Sequence, residues 1–187
     1  MLDRGNSSKE QFKELYEQYK QRIYNYVFVL IKNRADAEEV TQEVFVRVYR
    51  NLAKYDPEKA SWLTWIYAIA RNLSYNFIRD RKGDPDMSVD QKVKIGNQTI
   101  ELLRLLPDER DPGAEKILES KEIQAQIQKA IEFLPDAYRD VITLCDIEEM
   151  PHKEAAEILG WSVSRTNVML MRAREKLSDI IRDKRGD

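Results

Sequence analysis

Along most of this chain, apolar residues return every third or fourth position, the rhythm of helices with one buried face. The first such stretch carries Phe12, Leu15, Tyr16, Tyr19, Ile23, Tyr26, Val27 and Leu30 on one side. Met1 to Lys9 before it is polar and is expected to fray. Asn33 to Asp36 reads as a turn, with Asp36 placed to cap a second helix. That helix runs to about Leu52 and buries Ala37, Val40, Val44, Val48 and Leu52. Its other face carries Glu38, Glu39, Gln42, Glu43, Arg47 and Arg50. Lys54 to Ala60 is a loop around Asp56-Pro57. A third helix spans Ser61 to Lys82, with Leu63, Ile66, Ile69, Ala70, Leu73 and Phe77 facing in.

Between Arg81 and Gly113 the rhythm stops. Gly83, Pro85, Gly96, Pro107, Pro112 and Gly113 punctuate the segment, and Asp84, Asp86, Asp90, Asp108, Glu109 and Asp111 make it acidic. One helical turn at Thr99 to Leu106 fits there. A loop this long is unusual inside one compact domain. Residues 83–113 therefore read as a flexible acidic linker between domains at 1–82 and 114–187. In the second domain a helix over Ala114–Phe133 stops before Pro135. Asp136 is placed to cap the next, which runs to about Ile147 with Tyr138, Val141, Ile142 and Cys145 on one face. Val141 to Cys145 also resembles a strand, but the flanking acids and the spacing favour helix. With no hairpin signal anywhere, the expected fold class is all-α.

Pro151 to Leu177 reads PHKEAAEILGWSVSRTNVMLMRAREKL. Pro151 suits a first helical turn, and Ala155, Ala156 and Leu159 give a short apolar face. Gly160 fits the left-handed residue that ends a helix, and Ser162 can cap the next. The following helix is expected to bury Val163, Thr166 or Val168, Leu170, Ala173 and Leu177. Spacing alone fits an ordinary helical hairpin as well as a DNA-binding helix-turn-helix. Charge separates the two. Val163 to Arg185 holds seven Arg and Lys against three acids, a local excess that phosphate binding rewards.

The helix from Ser61 to Lys82 makes a similar case. It combines two Trp, three further aromatics and four basic residues with one acid, Asp80. Aromatics can stack on unpaired bases while cations follow the backbone, the equipment of single-strand binding. The net charge of −2 adds no global attraction to nucleic acid, so local distribution carries the argument. Hydrophobic residues at 42% suffice for a core. Cys145 is the single cysteine and His152 the single histidine. An intrachain disulfide is thus impossible, a zinc site would need carboxylates at suitable spacing, and common acid–base schemes are thin. No Gly-rich phosphate loop or nucleophile–base pairing is seen. The run Tyr24–Ile31 is too short to span a membrane, and no signal peptide is read, so a cytoplasmic protein without catalysis or cofactor is expected.

With two unlike nucleic-acid elements in tandem, the chain resembles an ECF (extracytoplasmic-function) sigma factor of bacterial RNA polymerase. DAEEVTQEVFVRVYR (Asp36–Arg50) resembles the polymerase-clamp helix of that family, and SWLTWIYAIARNLSYNFIRDRK its promoter-melting segment. DPGAEKILESKE (Asp111–Glu122) and LPDAYRDVITLCDIEEMPHKEAAEILGWS followed by RAREKL (Leu134–Leu177) resemble its fourth region. The resemblance implies that the first domain is region 2, gripping the clamp and melting the minus-ten element. The second is region 4, binding the flap and reading minus thirty-five. It implies core polymerase and promoter DNA as partners, together with an anti-sigma factor. A helix-turn-helix regulator without a sigma role is the competing reading. It would leave Trp62, Asn72 and the Glu39–Arg47 face without purpose.

Carried over by residue, the resemblance places Asp36, Glu39, Gln42, Glu43 and Arg47 against the clamp. It places Lys59, Ser61, Trp62, Trp65, Arg71, Asn72, Asn76, Arg79, Arg81 and Lys82 at the minus-ten DNA. There Asn72 would lie near a flipped base, and the Tyr55–Ser61 loop, shaped by Trp62 and Trp65, would enclose it. At minus thirty-five it places Ser162, Ser164, Arg165, Asn167, Val168, Met171, Arg172 and Arg174. Here the chain departs from the family. Where TVKSRLHRAR is common, Arg165–Arg174 reads RTNVMLMRAR. Asn167 could pair with adenine and Arg172 with guanine, while Met169 and Met171 serve a partner or the core.

Overall fold

The computed structural model describes residues 4–81, 127 and 129–183. The chain divides into two compact units, Met1–Val93 and Lys94–Asp187. Lys82, the acidic segment 83–113 and the expected helix from Ala114 as far as residue 126 lie outside the described residues. Among the described residues there is helix and no strand.

In the first unit, α1 (Arg4–Ile31), α2 (Arg34–Asn51) and α3 (Trp62–Arg81) each pack on the other two. Helix α1 starts well before Phe12, where fraying was expected. Lys9, Glu10 and Gln11 are good helix formers and carry the helix outward without burial. At the other end Lys32 adopts φ 62°, its N–H bonded to the Phe28 carbonyl at 2.8 Å. This left-handed residue turns the chain directly into α2.

Asn33, not Asp36, caps α2; its side chain accepts from the Asp36 N–H at 3.2 Å. The cap falls three residues earlier than expected because Asn33 is itself extended and so leaves Asp36 inside the first turn. Asp36 is buried and pairs with the Arg81 guanidinium at 2.7 Å. Arg81 also covers the Phe77 ring at 4.6 Å. The far end of α3 is thereby tied to the start of α2.

The expected stripe Ala37, Val40, Val44, Val48 and Leu52 is buried throughout. It meets Ile23, Tyr26, Val27 and Leu30 from α1, and Ile66, Ala70 and Leu73 from α3. Leu63, Ile69 and Phe77 are only half-buried, while Thr64, Tyr67 and Ser74 go inside. The reason is a small rotation of α3. Tyr67 packs its ring on Tyr26 at 5.1 Å, and Ser74 satisfies its hydroxyl on the Ala70 carbonyl at 2.8 Å.

The second unit is built from helical residues 129–132, α4 (Asp136–Ile142), α5 (His152–Leu159) and α6 (Val163–Asp183). Helix α4 does not run straight to Ile147. Thr143–Ile147 forms a π turn, with the Glu148 N–H reaching the Thr143 carbonyl at 2.9 Å. Such a wide turn inserts a residue into a helix, and here it sets Asp146 beside α6. Pro135 occupies the cap position of α4, and Asp136 bonds Arg139 instead of capping.

Gly160 takes φ 68°, and Ser162 caps α6 through the Arg165 N–H at 3.2 Å, both as expected. Thr166, Leu170 and Ala173 face the core with Leu159. Val163 does not; it is 43% exposed at the first turn of α6.

Arg139 was invisible to an apolar-pattern reading, yet it is only 6% exposed. Its guanidinium reaches the carbonyls of Leu134 at 2.8 Å, Glu132 at 3.3 Å and Ile131 at 3.4 Å. It therefore gathers carbonyls at the end of the preceding helix, of which only that of Ile131 also accepts a backbone N–H, from Leu134 at 3.1 Å. Arg139→Leu should strand those groups and destabilise the second unit by about 2–4 kcal/mol. Urea unfolding of the variant would measure this, and a loss below about 0.5 kcal/mol would contradict the capping role.

Candidate nucleic-acid interface

Helix α3 buries one side in the three-helix core and leaves a row along the other. Ser61, Trp65, Asn72, Asn76 and Arg79 follow one another at helical spacing on that outward side, with Ala68 between them. Asn72, Asn76 and Arg79 are exposed, and Trp65 is half-buried. Arg79 leans on Asp80 at 3.1 Å. Arg71 stacks over the Tyr75 ring at 4.8 Å. That contact keeps a cation and an aromatic face together on the same helix surface.

The row starts at an aromatic cluster. Trp62 lies flat on Tyr55, ring centroids 3.3 Å apart, and Trp65 meets both edge-on or tilted at 5.7 and 5.5 Å. Tyr55 closes its own loop by donating its hydroxyl to the Ala60 carbonyl at 2.9 Å. Asp56 holds the loop interior, accepting from the Glu58 N–H and pairing with Lys59 at 3.0 Å. Ser61 caps α3, its hydroxyl oxygen accepting from the Thr64 N–H at 3.2 Å. So Lys59 and Ser61 shape the loop, while Trp62 and Trp65 form a shared platform with Tyr55. Arg81 is drawn away from the row by Asp36, and Asp36 is likewise withdrawn from the outer face of α2.

That outer face shows Glu39 and Gln42 exposed, and Glu43 half-buried and paired with Arg47 at 2.9 Å. Two residues join them that pattern reading passed over: Val46, 39% exposed, and Tyr49, packed edge-on against Phe12 at 5.1 Å. Val46 had a signal. It falls midway between Val44 and Val48 of the buried stripe, so it must point outward.

In the second unit, Ser164, Val168 and Met171 line the side of α6 opposite its buried Thr166, Leu170 and Ala173. Val168 is 42% and Met171 54% exposed, so Met171 serves no core role. Arg165 and Arg172 flank this strip, Arg165 resting over the Trp161 ring at 4.7 Å. Asn167 lies on the other flank, with its amide oxygen 2.7 Å from the His152 Nδ1. Arg174 is exposed but already paired. Asp146 holds it through two bonds, at 2.9 and 2.6 Å. Those bonds raise the guanidinium pKa further and brace α6 against the π turn. The contacts of His152 and Asp146 cross 15 and 28 residues, and no local pattern signals such pairs.

Residues 15–83 match the family model for Sigma-70 region 2, and residues 124–177 match Sigma-70 region 4. The chain is 33% identical over 175 residues to the ECF RNA polymerase sigma factor SigW of Bacillus subtilis (strain 168). That alignment covers 94% of this chain and 91% of SigW. The chain belongs to the ECF sigma factors.

Another relative, ECF RNA polymerase sigma factor SigM of the same Bacillus strain, is 29% identical, covering 88% of this sigma factor and 91% of its own length. Two solved structures share the fold. One is CnrH in complex with the cytosolic domain of CnrY, with TM-score 0.64, 21% identity, and coverage of 94% and 90%. The other is the sigma factor RpoE in complex with the anti-sigma factor NepR from Bartonella quintana, with TM-score 0.69, 18% identity, and coverage of 92% and 98%.

The single thiol of this sigma factor sits inside the region 4 unit. Burial, and then the Asp146 charge, push the Cys145 pKa up to about 11 against a partial offset from Arg174. An inert, protonated thiol follows. On unfolding, its proton leaves nearer pH 9. Its contribution to stability is therefore intact at neutral pH and declines as pH rises from about 9 to about 11. Cys145→Ala should flatten that part of the stability–pH profile measured by urea unfolding. A wild-type profile with the same slope as the variant would contradict the burial argument.

Proposed function

We propose that this sigma factor directs core RNA polymerase to specific promoters and begins their melting. Its region 2 unit would handle the minus-ten element and its region 4 unit minus thirty-five. The observation that carries this reading is the geometry of α3. One helix holds an aromatic platform, two exposed amides and a cation in line, at spacings that suit successive unpaired nucleotides. A duplex-binding regulator has no use for such a row.

Strand opening begins by extracting a base, at a cost of a few kcal/mol. In our reading the Tyr55–Trp62–Trp65 cluster receives that base, and Asn72 hydrogen-bonds its edge. Arg71 and Arg79 balance the phosphates beside it. The outer face of α2, with Glu39, Gln42, Glu43 and Arg47 around apolar Val46, docks on the polymerase clamp. An apolar centre with a charged rim is what a stable protein contact needs. In the second unit the exposed strip of α6 enters the major groove. Arg172 there discriminates guanine, and Val168 and Met171 are suited to thymine methyl groups.

Sigma factors recognise DNA and leave catalysis to the polymerase, so no reaction is assigned to this chain. Among the described residues no helix is long and apolar enough to cross a membrane, and we place the protein in the cytoplasm with its polymerase. An anti-sigma partner is part of the proposal, supported by the likeness in fold to an RpoE bound by NepR.

Asn72→Ala should slow open-complex formation on duplex promoters by roughly tenfold or more, as loss of a good base contact does. A template already mismatched across the minus-ten element should restore most of the rate. Permanganate footprinting on both templates reads this. Equal defects on the two would contradict a melting role for Asn72.

A further inference from the structure

The contact between His152 and Asn167 does more than join α5 to α6. Nδ1 of His152 stands 2.7 Å from the amide oxygen of Asn167. An amide oxygen only accepts, so this arrangement calls for the tautomer with its proton on Nδ1. Both residues are exposed, at the mouth of the helix-turn-helix. The Asn167 side chain makes no other hydrogen bond among the described residues.

A planar amide cannot turn its two ends the same way. With the oxygen held back toward α5, the NH2 group becomes the end that α6 presents outward. Asn167 lies near the start of α6, where helices of this motif meet base edges. A free asparagine reads adenine with both ends at once, the oxygen taking the N6 proton and the nitrogen donating to N7. Here the oxygen is already engaged and turned away.

We propose that His152 is a positioning residue that converts Asn167 into a donor, so that it selects guanine or thymine rather than adenine. Guanine offers O6 and N7, and thymine offers O4, as acceptors in the major groove; adenine offers N7 as well, but its N6 donor can no longer meet the engaged oxygen, so adenine loses the second bond that favours it. This inference rests on the proposed reading of minus thirty-five by α6 and deepens it at one base position. Neither residue type announces the arrangement. The pair depends on the helix-turn-helix angle that Gly160 and Ser162 establish.

The test uses the full-length chain in two measurements. His152 is the only histidine, so its imidazole gives a single set of nitrogen-15 signals without assignment. At about pH 8.5 the spectrum should show the proton on Nδ1, and Asn167→Ala should shift that balance toward Nε2. Promoter-library selection with holoenzyme should then show guanine or thymine preferred at one minus-thirty-five position. Asn167→Ala should reduce that preference by about fivefold or more. His152→Ala should move the same position toward adenine and leave the others unchanged. His152→Asn, whose amide nitrogen occupies nearly the place of Nδ1, should restore the original preference.

A proton found on Nε2, an adenine preference in the wild type, or a His152→Ala selection identical to wild type would each overturn the proposal. So would Asn167→Ala weakening all sequences alike, which is the mark of a phosphate contact. Arg172→Ala separates these failures from a failure of the broader reading. If it relaxes a different base position, α6 reads DNA and only the His152–Asn167 assignment falls. If no α6 variant alters base preference, the minus-thirty-five role itself is wrong.

Discussion

Helices α3 and α6 must each satisfy two surfaces at once, and the rest of the structure follows from that constraint. A helix bound for nucleic acid cannot be polar all round, or nothing would hold it in place. It cannot be deeply buried either, or its reading face would be lost. In α3 the division falls between Ile66, Tyr67, Ala70 and Leu73 inside and Asn72, Asn76 and Arg79 outside. In α6 it falls between Thr166, Leu170 and Ala173 inside and Val168, Met171 and Arg172 outside. Helices α1 and α2 in one unit, and α4 and α5 in the other, supply the apolar surface that fixes the angle of each.

Polar contacts then set orientation more finely than apolar packing can. Three of the four act at an end or edge of α3 or α6, and the fourth at the end of the helix that precedes α4. Arg81 ties the end of α3 to Asp36, and Arg174 ties α6 to Asp146. His152 holds Asn167, and Arg139 gathers the carbonyls that precede Pro135. Partly exposed ion pairs contribute little to stability. Their directionality still limits how far a helix can roll, and a roll of one position would exchange reading and buried residues.

The helices and their apolar stripes were legible because helical periodicity is a local property. Val40, Val44 and Val48 declare a buried face without any knowledge of the partner. So does the helix-turn-helix, since Gly160 and Ser162 perform local jobs at the turn. What escaped was non-local or out of phase. Asp36 looks like a cap until Asn33 is seen to be extended. Nor does the sequence show that Arg81 and Arg174 pair with carboxylates 45 and 28 residues away. The π turn at Thr143–Ile147 has no periodic signature, and the Tyr55–Trp62 stack depends on how the Asp56 loop closes. Of the interface, residue types on α3 were readable, whereas the rotameric state that decides what Asn167 can donate was not.

The most direct test of the account is run-off transcription with purified core RNA polymerase, the full chain and a library of duplex promoters. The account predicts specific start sites that depend on the added chain and on two promoter elements, one melted and one double-stranded. Duplex binding by the chain alone, with core polymerase gaining no start-site specificity from it, would contradict that claim.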